Sequence, residues 1–520
     1  MSGKKVFCVL PVIGAICLFF ACGQAPPESS SGSEPLPNIV LIYVDDLGYG
    51  DVGAYGASGV STPNIDFLAQ NGLRFTDAHC SAATCTPSRY ALLTGRYAFR
   101  KEAAVLPGNA PLLIDTATST LAGMLKGAGY TTGVVGKWHL GLGDGFLDWN
   151  QAIKPGPLEL GFDYSFLIPS TGDRVPSVYV ENHRVVNLNA DDPITVSYRQ
   201  PVGDRPTGDT HPELRRMVAD PQHNKTIVNG ISRIGYMEGG ESALWTDEEF
   251  PDILNGKAGN FIAENRDQPF FLYYSFHDIH VPRLPNPRFV GKSSMGPRGD
   301  AIVQTDWMTG QIIKKLDALG LSENTIILFT SDNGPVLNDG YEDQAVELLG
   351  DHQPAGPYRG GKYSAYEAGT RVPMIAYWPG TIKAGTSNAL FGQIDIYASL
   401  AGLAGQQLSR EEAIDSKDHL PVLLGKAQSG REMLVEESLT ISLREGNWKY
   451  IRPFGKNDPA WITEKGIEGG FRVEPQLYQL QDDPGETNNL ADQFPERIQA
   501  MEAKIQEIEA RAKRPDMAMK

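Results

Sequence analysis

Four short stretches place ionisable groups directly after apolar runs. Asp45-Asp46 follow "NIVLIYV", Lys137 and His139 stand in "GKWHLG", His277 and His280 in "HDIHVP", and Asp332-Asn333 in "SDNGP". Singly, each has an ordinary use: an Asp after a strand caps a helix, and a lone His packs in a core. Four such ends together are a poor match for independent structural roles. Asp45, Asp46, Asp332 and Asn333 offer only oxygen donors. That set suits a hard cation, and Ca²⁺ better than Mg²⁺, which keeps waters and demands stricter geometry. Zinc prefers nitrogen and sulfur. Lys137, Lys362 (in "YRGGKYSAYEAGTRVP") and Arg89 bring positive charge to the same group of residues. Three carboxylates set against a divalent cation and three basic side chains leave a site positive by two, able to hold a tetrahedral anion. Cys85, in "SAATCTPSRYALLTGR", adds a sulfur close to Pro87 and Arg89, either a structural thiol or a reactive one.

These groups need a common scaffold, and the apolar runs supply one. "NIVLIYV" (38–44) is apolar throughout, as a strand buried on both faces should be. "YTTGVV" (130–135), "PFFLYYSF" (269–276), "NTIILFT" (324–330) and "RVPMIAYW" (371–378) predict four more strands. "IDFLAQNGLRF", "STLAGMLKGAGY" and "AIVQTDWMTGQIIKKLDALG" carry helical spacing, closed by Asn71-Gly72, Gly127 and Gly320. Strands separated by helices predict an α/β fold with a mostly parallel sheet flanked by helices. Ligands of such sheets bind outside the carboxyl ends of the strands, where the four groups fall. Residues 155–240 have weak periodicity and many turn residues, and read as an insertion that carries specificity. This main domain spans 38–425. From 426 to 520 the texture changes to a β-meander, "REMLVEESLTISLREGNWKYIRPF", a further strand in "QLYQLQ" and a charged amphipathic helix, "PERIQAMEAKIQEIEARAKR". A smaller C-terminal α+β subdomain, an antiparallel sheet plus helix, is expected there.

Residues 1–22 read as an export signal: Lys4 and Lys5, an apolar run from Val6 to Phe20, then Ala21-Cys22. The run is too short for a comfortable membrane span. Cys22, followed by "GQAPPESSSGSEPLP", resembles a bacterial lipoprotein signal, with Cys22 lipidated and residues 23–37 a flexible tether. Phe19 stands where that pattern usually has Leu. The expected location is the periplasm or the outer-membrane surface of a bacterium, with a lipid anchor in the membrane. Of five cysteines, only Cys80 and Cys85 then stay in the folded domain, a poor disulfide framework. The net charge of −17 without a basic stripe argues against nucleic acid as a partner.

"CTPSRYALLTGR" resembles the signature of the type I, formylglycine-dependent sulfatases, arylsulfatase-like members of the alkaline phosphatase superfamily. "VDDLGYGD", "GKWHLG", "HDIHVP", "SDNGP", "RGGKYSAYEAGTRVP" and "LYQLQDDPGETNNL" resemble the other motifs of that family, in its order, from Asn38 to Leu490. The resemblance implies an alkaline-phosphatase-like fold and the hydrolysis of sulfate monoesters. It implies that Cys85 is oxidised to formylglycine (3-oxoalanine) by a dedicated maturation enzyme that recognises Pro87 and Arg89. It further implies that Asp45, Asp46, Asp332 and Asn333 hold one Ca²⁺, and that Lys137 and Lys362 clamp the sulfate. By the same resemblance Arg89 orients the nucleophile, His280 is the general acid and His139 takes a proton from the nucleophile. His277, Asp173 and Arg174 are candidates for substrate contacts. The implied substrate is a sulfated glycan, with a lean to 6-O-sulfated galactose or N-acetylgalactosamine by family analogy. Two rivals stand beside this reading. One is a phosphatase, phosphodiesterase or phosphonate hydrolase of the same superfamily, of which the phosphatases usually carry Ser or Thr as nucleophile and bind two zinc ions through extra His ligands. The other is a non-catalytic surface protein binding sulfated glycans, which would have lost catalytic groups.

Overall fold

The computed structural model describes residues 1–11 and 36–514. Most of the expected export signal, Cys22 and the tether up to residue 35 lie outside the described residues. Among the described residues no helix is long and apolar enough to cross a membrane.

Ten strands build one mixed sheet. They are β1 (Asn38–Val44), β2 (Leu73–Phe75), β3 (Thr131–Lys137), β4 (Tyr164–Ile168), β5 (Val180–Glu181), β6 (Arg184–Val185), β7 (Phe270–Ser275), β8 (Thr325–Ser331), β9 (Met374–Tyr377) and β10 (Gly385–Ser387). Their order is β10-β2-β9-β8-β1-β7-β3-β4-β5-β6. The five central strands, β8-β1-β7-β3-β4, run parallel. β1, β7 and β8 are buried at every residue, which is why they read as unbroken apolar runs. Alternate side chains of β1 then serve opposite cores. Ile39, Leu41 and Tyr43 pack with α2 (Cys85–Thr94), α3 (Leu121–Gly127) and α6 (Ile396–Leu403), whose labels follow chain order with α1 (Pro63–Asn71), α4 (Phe250–Glu264) and α5 (Gly296–Ala318). Val40, Ile42 and Val44 pack with α1, α4 and α5 on the other face. The carboxyl ends of β8, β1, β7 and β3 therefore open side by side and bring Asp332, Asp45, His280 and Lys137 to one edge.

Three local readings change. "LRF", taken as the end of a helix, is β2, because Gly72 breaks α1 and Leu73–Phe75 pairs with β9. The fifth expected strand is β9, which runs antiparallel to β8. The expected insertion contributes β4 to the parallel sheet, followed by the β5–β6 hairpin. "YSFLI" is short and flanked by turn residues, so its pairing with β3 leaves no periodic signal.

The C-terminal region forms a separate antiparallel sheet, β11 (Met433–Glu437), β12 (Ile441–Glu445), β13 (Trp448–Ile451) and β14 (Gln476–Gln479), covered by α7 (Pro495–Ala510). Val435, Leu443 and Leu477 share one face of this sheet and pack in one cluster with Met501 and Ile505 of α7, Ala91 of α2 and Tyr97. The helix that starts at Cys85 is thus held between two sheets.

Glu437 sits at this junction, buried, accepting the Ala98 N–H at 2.8 Å. Burial pushes its carboxyl up to about 8, against hydrogen bonds from the Ala98 and Phe99 backbone. An unfolded Glu titrates near 4.3, so between those values the folded state holds a proton that the unfolded state has released. Stability must then fall as pH rises through that window, by on the order of 5 kcal/mol in all. Glu437→Gln removes this component. We expect the melting temperature of the wild type to drop more between pH 6 and pH 9 than that of the variant, and parallel curves would refute the assignment.

Candidate active site

Cys85 is the first residue of α2, preceded by an extended Thr84, so the free N–H groups of the helix surround it. All ten residues of α2 are buried, and Gly95, with φ of 62°, ends the helix by donating to Ala91 O. Thr86 Oγ1 donates to His139 O at 2.9 Å and ties the His139 loop to the helix. Burial pushes the Cys85 thiol up to about 11, with Lys137 and Lys362 opposing. The encoded side chain is therefore a neutral thiol and a poor nucleophile. Cys80 is a buried structural thiol, its sulfur 3.2 Å from the carbonyl oxygens of Ala82 and Thr370.

Asp45, Asp46, Asp332 and Asn333 converge beside Cys85, each fully buried. Oxygens of Asp45 and Asp46 and the Cys85 sulfur lie within 4.8 Å of one another. Asn333 Nδ2 donates to Asp46 Oδ1 at 2.7 Å, and Asp332 Oδ1 accepts the Asp46 N–H at 3.3 Å. Arg89 donates from Nε and Nη2 to Asp332 Oδ2 at 2.9 and 2.7 Å, and from Nη1 to Lys137 O and Ser275 Oγ. Lys137 Nζ donates to Asp45 Oδ2, and Lys362 Nζ to Asp46 Oδ2 at 2.9 Å. Despite burial, Arg89 and Lys137 hold Asp332 below the usual carboxylate range. Burial and the neighbouring Asp332 push Asp45 well above it, and burial raises Asp46 as well. Among the described residues, Asp45 Oδ1 and Asn333 Oδ1 are buried acceptors without a hydrogen-bond partner. Orphaned oxygens and crowded carboxylates fit a divalent cation with oxygen ligands, because the cation would satisfy both at once.

His280 lies at the edge of this cluster. Its Nδ1 donates to Val281 O at 2.6 Å, and Nε2 stands 3.9 Å from Asp46 Oδ2. His139 donates through Nε2 to Leu106 O at 2.9 Å, and its buried Nδ1 has no hydrogen-bond partner among the described residues. Burial pushes both imidazoles well below their usual range, with Lys362 lowering His280 and Lys137 lowering His139 further. Asp46 and His139 both adopt left-handed backbone, with φ of 59° and 52°. For residues other than Gly this costs about 1–2 kcal/mol each, and such strain gathers at functional sites.

A cavity of about 660 Å³ opens over Cys85, His139, His280 and Lys362. Asp173 and Arg174 line it, joined to each other at 2.8 Å. His277 stands behind the wall: its Nε2 accepts the Gly172 N–H at 2.9 Å and its ring packs on Phe250. Its place is to hold the loop that carries Asp173 and Arg174.

Two wall residues escape sequence reasoning. Asp339 accepts from Lys362 Nζ at 2.9 Å, so the lysine is shared between Asp339 and Asp46. This fourth carboxylate reduces the excess of positive charge from two to one. His223 bridges Asp173, at 3.2 Å, and Asp220, at 2.7 Å, which raises its proton affinity against the effect of burial. "VLNDG" and "DPQHN" look like turns, and only the packing of distant loops reveals their role.

The arrangement can hold a tetrahedral anion between a helix N-terminus, two lysines and a cation-binding cluster, with two histidines beside it. The Sulfatase family model matches residues 37–406. The chain is 51% identical to the N-acetylgalactosamine-6-O-sulfatase of Bacteroides thetaiotaomicron, over 98% of this chain and all of that protein. It is 32% identical to human arylsulfatase A, over 89% of this chain and 86% of that one. A solved structure from work on glycosaminoglycan metabolism by B. thetaiotaomicron superposes with a TM-score of 0.90 at 53% identity, covering 92% of this chain and all of that one. Motif order, fold and these matches agree, and the chain belongs to the sulfatase family, as a sulfuric ester hydrolase.

Proposed function

We propose that this sulfatase removes the 6-O-sulfate from galactose or N-acetylgalactosamine residues of sulfated glycans. The observation that carries the chemistry is the neutral, buried Cys85 at the start of α2, facing the oxygen cluster and both lysines. The 51% identical relative, named for N-acetylgalactosamine 6-O-sulfate, supports the choice of sugar and position. Oxidation of Cys85 to formylglycine by a maturation enzyme would supply a hydrated aldehyde as nucleophile in place of the thiol. Ca²⁺ held by Asp45, Asp46, Asp332 and Asn333 would supply Lewis acidity toward a sulfate oxygen.

The remaining work belongs to the side chains. Lys137 and Lys362 neutralise the sulfate oxygens from two sides, and Asp339 fixes the direction of the Lys362 ammonium. Arg89 braces Asp332 and adds positive charge beside position 85. A bound sulfate raises the proton affinity of His280, whose Nε2 then gives a proton to the leaving alcohol oxygen. His139 Nδ1, free of other partners, takes a proton from the group at position 85. Asp173 and Arg174 line the side of the cavity available to the sugar. Lys4, Lys5, the apolar run and Cys22 support export to the periplasm or outer-membrane surface on a lipid anchor.

A panel of position-defined sulfated saccharides, scored by sulfate release, tests the substrate. We expect 6-O-sulfated N-acetylgalactosamine and galactose to exceed 4-O-, 3-O- and N-sulfated sugars by on the order of 10²-fold in kcat/KM. Faster release from any other position would replace the reading.

A further inference from the structure

The connection between β13 and β14 contributes Trp461 and Lys465 to the cavity lining and has no part in the chemistry above. It contains a short helix, Ala460–Glu464. Ile462 is fully buried against Tyr366, Ile451 and Phe471, which anchors the helix. Its neighbour Trp461 is 41% exposed and lines the cavity. The indole meets Tyr363 edge to face, with centroids 5.1 Å apart and an interplanar angle of 88°. Tyr363 in turn lies beside Lys362, whose Nζ is 5.3 Å from the Tyr363 ring centre. Along the wall the order is therefore Lys362, Tyr363, Trp461, so the exposed indole stands one aromatic ring beyond the sulfate clamp. Lys465 fastens the segment from its other end, with Nζ 3.3 Å from Asp220 and 3.6 Å from Asp339.

We infer that Trp461 forms a second subsite, for the sugar glycosidically joined to the sulfated one; this rests on the glycan reading above. A single exposed apolar residue is ordinary on a protein surface. Here the ring is held rigid by a buried neighbour at the lip of a cavity of about 660 Å³, larger than one sugar ring fills. A fixed indole offers its face to the C–H groups of a pyranose with little side-chain entropy to lose. Lys465 already serves two carboxylates, so among the described residues the subsite presents an aromatic face and no free cation. It should accept a neutral sugar and a uronic acid alike.

The test compares kcat/KM on the 6-O-sulfated hexosamine monosaccharide with that on the same residue in di- and trisaccharides bearing neutral or uronate neighbours. The wild type should favour the oligosaccharides. Trp461→Ala should lose about tenfold on them, regardless of the neighbour's charge, and change by less than about twofold on the monosaccharide. Trp461→Phe should keep most of the advantage, since it keeps a ring. With melting temperatures unchanged, equal losses on both substrates, or no loss on either, would overturn the subsite. A loss confined to uronate-bearing substrates would also overturn it, since charge and not stacking would be read. If the wild type released sulfate from none of these 6-O-sulfated sugars, the substrate reading would fail first and carry this inference with it.

Discussion

Replacing Cys85 by alanine should leave a folded protein that still binds the cation but turns over sulfate esters on the order of 10⁶-fold more slowly, the scale of loss when a covalent nucleophile is removed. Folding should survive because the thiol contributes little: it is a small group at the start of α2, and the helix is held through Thr86, Arg89 and both cores. Cation binding should survive because the oxygen set does not include position 85. Alanine is the informative substitution, since it offers neither sulfur nor oxygen for maturation. The same experiment separates the two meanings of a cysteine here. As encoded, the thiol is held neutral by burial, and two lysines do not reverse that. A thiolate mechanism would therefore work against its own environment. Mass spectrometry of the wild-type peptide spanning position 85 should show one oxygen in place of H₂S. An unmodified thiol in fully active enzyme would sink the aldehyde mechanism.

The carboxyl ends of the strands were legible because the sequence writes a buried parallel strand as an apolar run, and a functional end as an abrupt change to charge. That contrast marks Asp45, Lys137, His280 and Asp332 without any contact being known. The parallel centre of the sheet followed from the same runs. What could not be read depends on where loops land. Asp339 meets Lys362, and Lys465 reaches back from the C-terminal sheet to Asp220 and Asp339, through ion pairs that join remote parts of the chain. No local pattern encodes such a pair. His277 shows the reverse error of emphasis. It shares a motif with His280, but the turn after β7 sends one ring toward the cavity and the other behind it. Strand direction was equally hidden: β9 carries the composition of a buried strand, and only the path of the chain makes it antiparallel.

Ca²⁺ should raise the melting temperature of the wild type, and Asp45→Asn and Asp332→Asn should both lose that response while differing in chelator. A cation at one hundred times its dissociation constant stabilises the folded state by about 2.7 kcal/mol, and either variant removes a charged ligand. Without the cation the two carboxylates have unequal worth. Asp45 is ionised at a cost, crowded by burial and Asp332, and an asparagine oxygen can still accept from Lys137. Asp45→Asn relieves that crowding but leaves the buried Lys137 ammonium without its carboxylate, so in chelator it should melt between the wild type and Asp332→Asn. Asp332 is the partner of the buried Arg89, which holds it through two donors. Removing its charge leaves a guanidinium unpaired in the interior, at a cost of about 3–5 kcal/mol, so Asp332→Asn should melt well below the wild type. Both variants should lose turnover, by on the order of 10²–10³-fold for a lost electrostatic element. A separate group away from the strand ends, half-buried Asp77 with buried His79 and Glu367, is a weaker place for a cation, because Arg371, Arg444 and Lys449 already neutralise it. A Ca²⁺-induced rise that persisted in both variants would move the cation out of the strand-end cluster, and the Lewis-acid assignment with it.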